Sequence, residues 1–318
     1  MRDCSRLSKR IYSRQTFNPR ANMAGKRILR SDNAPLDDPE ALQRHIRRAL
    51  AAKPLGGWEL ELAYRLVQTW FKPRVSGADR IPEQPCLFVG NHGLFAIDGL
   101  IILPIMLRDY TRFLRPLGDK FLFTDPRLAA ELLRRGASMG HPEVCRALMR
   151  HGHDMLVFPG GAHEAVKAAR ENYRLQWKDR DGFVRLAAEH GYTIVPFGLV
   201  GPDDFYSHLI EGQDLPDTAL GRALIHTGVL DPKMRRDLIP PLARGMLGSL
   251  LPRPEPCYLG FGEPVDLATY RNRRLPAQTR RMVRERIAGE IDSQLDRLLQ
   301  QRHAERGHHG FLRRVLTL

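Results

Sequence analysis

The residues best suited to proton transfer lie in the run Asn91-His92-Gly93-Leu94-Phe95-Ala96-Ile97-Asp98-Gly99. An imidazole can accept the proton of a hydroxyl, and a carboxylate on its other nitrogen fixes the tautomer and stabilises the imidazolium that forms. His92 and Asp98 are six positions apart, which on a continuous helix would set them about 240° apart. They meet only if Gly93 and its neighbours make a loop between a strand and a helix. A second run, Phe158-Pro159-Gly160-Gly161-Ala162-His163-Glu164, again reads as strand end, glycine turn and polar cluster. Paired glycines let backbone N–H groups approach an oxyanion or a phosphate closely, and they equally close a tight turn. Taken alone, the His92/Asp98 pair also has the look of a hydrogen-bonded structural histidine, and His163 reads as a site group or as a surface residue.

The elements around these runs follow from apolar periodicity and punctuation. Residues 38–52 carry acids first and Arg47-Arg48 last, the charge order a helix dipole favours. Residues 58–71 place Trp58, Leu62, Leu66, Val67, Trp70 and Phe71 at helical spacing before Pro73. Their aromatics suit a packed core or a face dipping into lipid headgroups. From residue 85, short apolar runs alternate with helices: strands at 86–89, 112–117, 155–158, 193–200 and 257–262; helices at 99–107, from Asp125-Pro126 to Gly136, from Pro142 to Gly152, and at 182–190. Residues 201–256 are irregular and proline-rich. A long helix at 276–302 puts Val283, Ile287, Ile291, Leu295 and Leu298 on one face and its arginines on a solvated or membrane-facing one. The fold class expected is α/β, with a mostly parallel central sheet flanked by helices.

Composition narrows the function classes. The 318 residues are 42% hydrophobic and 27% charged, which argues against a collagenous or wholly disordered chain. The net charge of +14 sits at the ends: residues 1–31 carry +8 and residues 267–318 carry +7, leaving the middle at −1. Basic ends on a neutral body suit an anionic surface, either a membrane leaflet or a nucleic acid. The neutral middle has no nucleic-acid motif, so no nucleic-acid partner is expected. The longest apolar run, 94–107, is interrupted by Asp98 and is shorter than a spanning helix. The Arg/Ser-rich start shares its composition with transit peptides, and Met23 offers an alternative start. Four cysteines, Cys4, Cys86, Cys145 and Cys257, show no metal-site or disulfide spacing. A reducing, cytoplasmic setting follows, with the protein peripheral or monotopic on a membrane.

Several segments, in consistent order, resemble the glycerolipid acyltransferase superfamily. NHGLFAIDG (91–99) resembles its first block, Asn-His, four residues, Asp, with one residue more between His and Asp, as in the monoacylglycerol and diacylglycerol acyltransferase-like branch. FPGGAHEA (158–165) is similar to the Pro-Gly-Gly-x-x-Glu form of the third block in that branch. Residues 177–187, Thr193-Ile194-Val195-Pro196-Phe197-Gly198 and Phe261-Gly262-Glu263-Pro264-Val265-Asp266 resemble later elements. The resemblance covers about residues 58–270. It implies acyl transfer from a thioester, acyl-CoA or acyl carrier protein, to a lipid hydroxyl acceptor. His92 would be the general base and Asp98 its support, without a covalent acyl-enzyme. Asn91 and Gly93 would belong to the substrate-binding residues, Asn91 also fixing the His loop. Gly160 and Gly161 would line the acceptor or oxyanion site, and Glu164 would hold the turn or bind an acceptor hydroxyl. No metal and no cofactor beyond the co-substrate are implied. Ala162 and His163 stand where a related form carries a phosphate-binding arginine, which favours a neutral acceptor. Residues 101–107, the 58–71 helix and the loop at 238–252 are candidates for acyl-chain contact. The organisation expected is a basic, disordered extension (1–37), N-terminal helices (38–75), an acyltransferase domain (76–270) and a basic C-terminal helix and tail (271–318). A non-catalytic lipid-binding relative and, behind it, a basic nucleic-acid-binding protein are the alternative readings.

Overall fold

The computed structural model describes residues 38–305. The expected basic extension (1–37), Met23 and the tail beyond residue 305 lie outside the described residues. In chain order the elements are α1 (Pro39–Ala51), α2 (Gly57–Phe71), β1 (Arg74–Ser76), β2 (Cys86–Gly90), α3 (Ile97–Tyr110), β3 (Arg115–Gly118), α4 (Pro126–Arg134), β4 (Ser138–Met139), α5 (Pro142–Arg150), β5 (Met155–Val157), α6 (Ala162–Ala165), α7 (Gly182–His190), β6 (Thr193–Val200), β7 (Ser207–Ile210), α8 (Ala219–His226), β8 (Leu242–Arg244), β9 (Tyr258–Phe261) and α9 (Ala277–Glu305). Asp38 and Asp125 cap α1 and α4, each accepting two backbone N–H bonds ahead of a first-turn proline, as their sequence signals require.

Seven strands form one sheet in the order β1-β9-β6-β2-β5-β3-β4. The five from β6 to β4 are mutually parallel. The run at 257–262 joins them in the opposite sense: β9 is antiparallel to β6, and β1 lies parallel to β9 at the edge. The expected mostly parallel sheet is therefore present, with a reversed two-stranded margin. Strands β1 and β4, three and two residues long, were not expected, because runs so short carry no periodicity. The excursion at 201–256 is also more ordered than its sequence suggests, since it contains the β7–β8 hairpin and α8.

Alternation along the strands divides the core into two layers. Leu87, Val89 and Ile194 face α1, α4, α5, α7 and α9, whereas Cys86, Phe88, Val195 and Phe197 face α2 and α3. Ile101, Ile102, Ile105 and Met106 are wholly buried core residues of α3, while Leu103, Pro104 and Leu107 line a small apolar cavity against α2. α9 packs directly on the sheet, where Gly198 and Gly260 make room: a Cβ on either would come within 3.0 Å of Gln294. Its arginines do not all face outward. Arg302 is buried and ion-paired with Asp204 and Glu255, which corrects the expectation of a uniformly solvated arginine face.

The consequence for function is positional. Neighbouring strands β6, β2 and β5 end on the same edge and deliver three turns side by side, at 201–204, 91–96 and 158–161. Carboxyl ends of adjacent parallel strands are where open α/β sheets bind ligands.

Candidate active site

The turn after β2 solves the six-residue spacing by strain. Phe95 and Ala96 both take left-handed backbone angles, φ 58° and 57°. Such a conformation costs an ordinary L-residue roughly 1–2 kcal/mol. The reversal starts α3 at Ile97, two residues before the expected helix, and puts Asp98 in its first turn, where unpaired N–H groups and the helix dipole favour a carboxylate. Asp98 Oδ2 then lies 2.6 Å from His92 Nδ1 and accepts the Gly93 N–H at 2.9 Å. Asp98 is fully buried, while the His92 side chain keeps 13% of its surface. The His92 ring stacks on Phe158 at 4.2 Å, and with Nδ1 against Asp98 the other ring nitrogen is Nε2. Asn91 turns the other way: its amide exchanges two hydrogen bonds with the backbone of Leu199 on β6, at 3.0 and 2.8 Å, and pins the strand end ahead of His92.

The glycine turn after β5 meets this loop through Glu164. The Glu164 carboxylate accepts the His92 N–H at 2.8 Å and the Gln176 N–H at 2.6 Å. Burial raises its pKa, opposed by those two N–H bonds. Gly160 is required for this contact, because a Cβ there would sit 2.0 Å from the Glu164 carboxyl carbon. Gly161 has φ 56°, which favours glycine. The carbonyls of Pro159 and Gly160 accept from Arg180 at 2.7 Å each. His92, Asp98, Gly93 and Glu164 are thus brought together directly, Asn91 and Gly160 support them, and Gly161 shapes the turn beside them.

Sequence profiles of two families cover this region. The profile described as "Acyltransferase" matches residues 72–200, and that of "Diacylglycerol acyltransferase" matches residues 137–270. Between them they take in all three turns. Over these residues the chain is similar to the glycerolipid acyltransferases. Among curated relatives it is 25% identical over 243 residues to "Phytyl ester synthase 2, chloroplastic" of Arabidopsis thaliana, covering 71% of this chain and 34% of that protein. It is 30% identical over 129 residues to "DGAT1/2-independent enzyme synthesizing storage lipids" of Gallus gallus, covering 41% of this chain and 39% of that protein. The aligned region therefore spans little more than a third of the length of these relatives. The solved 1-acyl-sn-glycerophosphate acyltransferase PlsC of Thermotoga maritima superposes with a TM-score of 0.41 at 14% identity, over 79% of this chain and 87% of that one, a likeness too slight to carry weight.

Two further residues hold the His loop that no motif reading had found. Lys167 donates to the His92 carbonyl at 2.8 Å and to Asp203 Oδ2 at 2.8 Å, with both side chains 1% exposed. Asp203 Oδ1 accepts the Leu94 N–H at 3.0 Å, and Oδ2 also accepts the Tyr173 N–H at 2.8 Å. The pair is separated by 36 positions, so nothing in local spacing points to it. The signal available was composition alone, a lysine and two aspartates next to otherwise apolar strand ends. Among the described residues no three His, Cys, Asp or Glu side chains gather as a metal site. Removing one partner of a buried ion pair strands the other charge. Lys167→Met is expected to lose about 3–5 kcal/mol of unfolding free energy in denaturant titrations. Adding Asp203→Asn should recover part of that loss, because the amide oxygen still accepts from Leu94 while the stranded charge is gone. A double variant as unstable as the sum of two single variants would show that the pair is not coupled.

Proposed function

We propose that this chain moves a fatty acyl group from an acyl thioester, acyl-CoA or the acyl carrier protein form, to the hydroxyl of a neutral glycerolipid or related lipid alcohol. The observation that carries the reading is the 2.6 Å contact between His92 Nδ1 and the buried Asp98, which leaves Nε2 as the ring nitrogen for a ligand. In the proposed step, Nε2 takes the acceptor's hydroxyl proton as its oxygen bonds to the thioester carbonyl carbon. The tetrahedral intermediate collapses with cleavage of the C–S bond, and the departing thiolate recovers the proton from the imidazolium. Asp98, in contact with Nδ1, stabilises the charged ring. The names of the relatives, a phytyl ester synthase and a storage-lipid enzyme, support a lipid alcohol as the acceptor.

An apolar surface beside the site supports work at a membrane. Trp58, Leu62 and Leu66 lie at helical spacing along the outer side of α2, all exposed, with Trp58 at 74%. Trp70 and Phe71 of the same helix turn inward, Phe71 stacking on Phe205 at 4.6 Å, so the helix serves core and surface at once. Leu247, Leu250 and Leu251 are exposed in the loop that follows β8. That loop is tied to α2 by the bond from Trp70 Nε1 to the Pro252 carbonyl at 2.9 Å, and to the His loop through Tyr206, which bonds Leu250 and meets Phe95 edge-on. Among the described residues no helix is long and apolar enough to cross a membrane. We propose that this surface lies on the bilayer and receives the acceptor from it.

Two measurements test the reading. Thiol release and acylated product are followed with an acyl thioester and a panel of monoacylglycerol, diacylglycerol, fatty alcohol, lysophospholipid and glycerol phosphate. His92→Ala should lower turnover by about 10²–10⁴-fold, and Asp98→Asn should lower it less, while the neutral acceptors are preferred. Thiol release that no acceptor alters, or full activity in His92→Ala, contradicts the assignment. In vesicle flotation, Trp58→Ser combined with Leu250→Ser should reduce binding several-fold; undiminished flotation would remove α2 and its neighbouring loop from the membrane contact.

A further inference from the structure

A cationic cluster beside the glycine turn has no part in the chemistry above. Lys178 Nζ lies 3.1 Å from His163 Nε2, and Arg235 Nη2 lies 3.4 Å from the same nitrogen. Arg180 Nη2 lies 3.4 Å from His163 Nδ1. Three permanent cations therefore crowd one imidazole, and a neutral ring cannot answer them. One carboxylate does: Asp237, 3.0 Å from His163 Nε2 and bonded by Arg235 at 2.6 Å. Asp179, between Lys178 and Arg180, is exposed and lines the neighbouring cleft, while several other charges nearby are engaged. Arg236 pairs with Asp217, Asp181 with Arg280, and Lys167 with Asp203. Glu211 accepts from Ala169 and meets His208, and Glu171 accepts from Ala168. Burial, and then the Lys178 charge, lower the pKa of His163, so the ring adds no charge of its own near neutrality.

The cluster is held in a fixed place. Arg180 is locked by its two bonds to the Pro159 and Gly160 carbonyls, and Arg284 donates to the carbonyls of Arg180 and Lys178 from α9. Lys178 and Arg180 remain exposed. Arg180 also stands on the rim of a cleft of about 460 Å³ at the carboxyl ends of β3 and β5, whose apolar walls include Leu87, Leu117, Val157, Phe183 and Leu186. Phe158 lines the same cleft and stacks on His92. A ligand with an anionic head at the cluster and a thinner, less polar arm in the cleft would thus extend toward the catalytic histidine.

We propose that Lys178, Arg180 and Arg235, gathered around His163, bind a phosphate group of the acyl donor while its thioester arm occupies the adjoining cleft. Planar guanidinium groups and an ammonium converging on one point are the donor set a phosphate ester requires. This inference rests on the acyl-transfer reading and assigns the phosphate to the donor, since the acceptor proposed there is neutral.

The test compares acyl-CoA with an S-acyl-N-acetylcysteamine donor, which has the thioester but no phosphate. In Lys178→Met/Arg235→Met the ratio of kcat/KM for the two donors should fall about tenfold or more, and CoA affinity measured by calorimetry should fall by a similar factor. Both side chains are exposed, so the melting temperature serves as the folding control, with Lys178→Met alone as the milder variant. A donor ratio and a CoA affinity within twofold of wild type overturn the proposal. If the variant instead loses discrimination between lysophosphatidate and monoacylglycerol as acceptors, the phosphate is the acceptor's and the donor assignment fails. A wild-type protein that binds CoA through this cluster and transfers from neither thioester refutes the acyl-transfer reading while retaining the phosphate site.

Discussion

The turn that carries His92 leaves the sheet at the end of β2, and from there no neighbouring strand satisfies its backbone. Buried side chains do so instead. Glu164 accepts the His92 N–H, Lys167 donates to the His92 carbonyl, Asp98 accepts the Gly93 N–H, and Asp203 accepts the Leu94 N–H. Each such group left unpaired inside the protein would cost roughly 1–3 kcal/mol. Three carboxylates and one ammonium around three residues make a rigid mount, able to sustain the two left-handed residues that follow. The position of the imidazole is therefore set by groups drawn from three strand ends.

The mount extends to the C-terminal helix. Asp203 sits in the turn after β6, and its neighbour Asp204 faces the opposite way, toward Arg302 of α9 and the Tyr173 hydroxyl. Burial and the two aspartates push the Tyr173 pKa up, so the phenol keeps its proton and donates it to Asp204. The same hydroxyl accepts the Gly201 N–H at 3.1 Å. α9 reaches this turn because Gly198 and Gly260 let it settle on the sheet. Close packing at one end of the molecule thereby fixes a carboxylate at the other end of a short hydrogen-bonded chain, beside the histidine.

Much of this was legible in the chain. The strands at β2, β5 and β6 announce themselves as uninterrupted apolar runs, α1 by its charge order, α4 by its cap and first-turn proline, α5 by its opening proline, and α7 by its closing glycine. His92 and Asp98 were readable because a motif holds both, and the condition that a loop must bring them together is met by Phe95 and Ala96. What was not legible depends on contacts between distant segments. Lys167 and Asp203 acquire meaning only when β2 and β6 lie side by side. The apolar stretch of α3 reads the same whether it faces lipid or the sheet, and it is the second core layer that decides for Ile101 and Ile105. Trp58 shows the converse: a tryptophan at core spacing lies with Leu62 and Leu66 on the outer side of α2 and remains exposed.

The central claim is that Asp98 and the buried mount hold His92 as the Nδ1–H tautomer with Nε2 unprotonated and facing the ligand. Nitrogen NMR of histidine-labelled protein at about pH 8, where an ordinary imidazole is neutral, reads this directly. The account predicts that the histidine signal abolished in His92→Ala has a protonated, strongly hydrogen-bonded Nδ1 and a bare Nε2, and that it becomes a mixture of tautomers in Asp98→Asn. A His92 protonated at Nε2, or one averaging between tautomers in the wild-type protein, would contradict it.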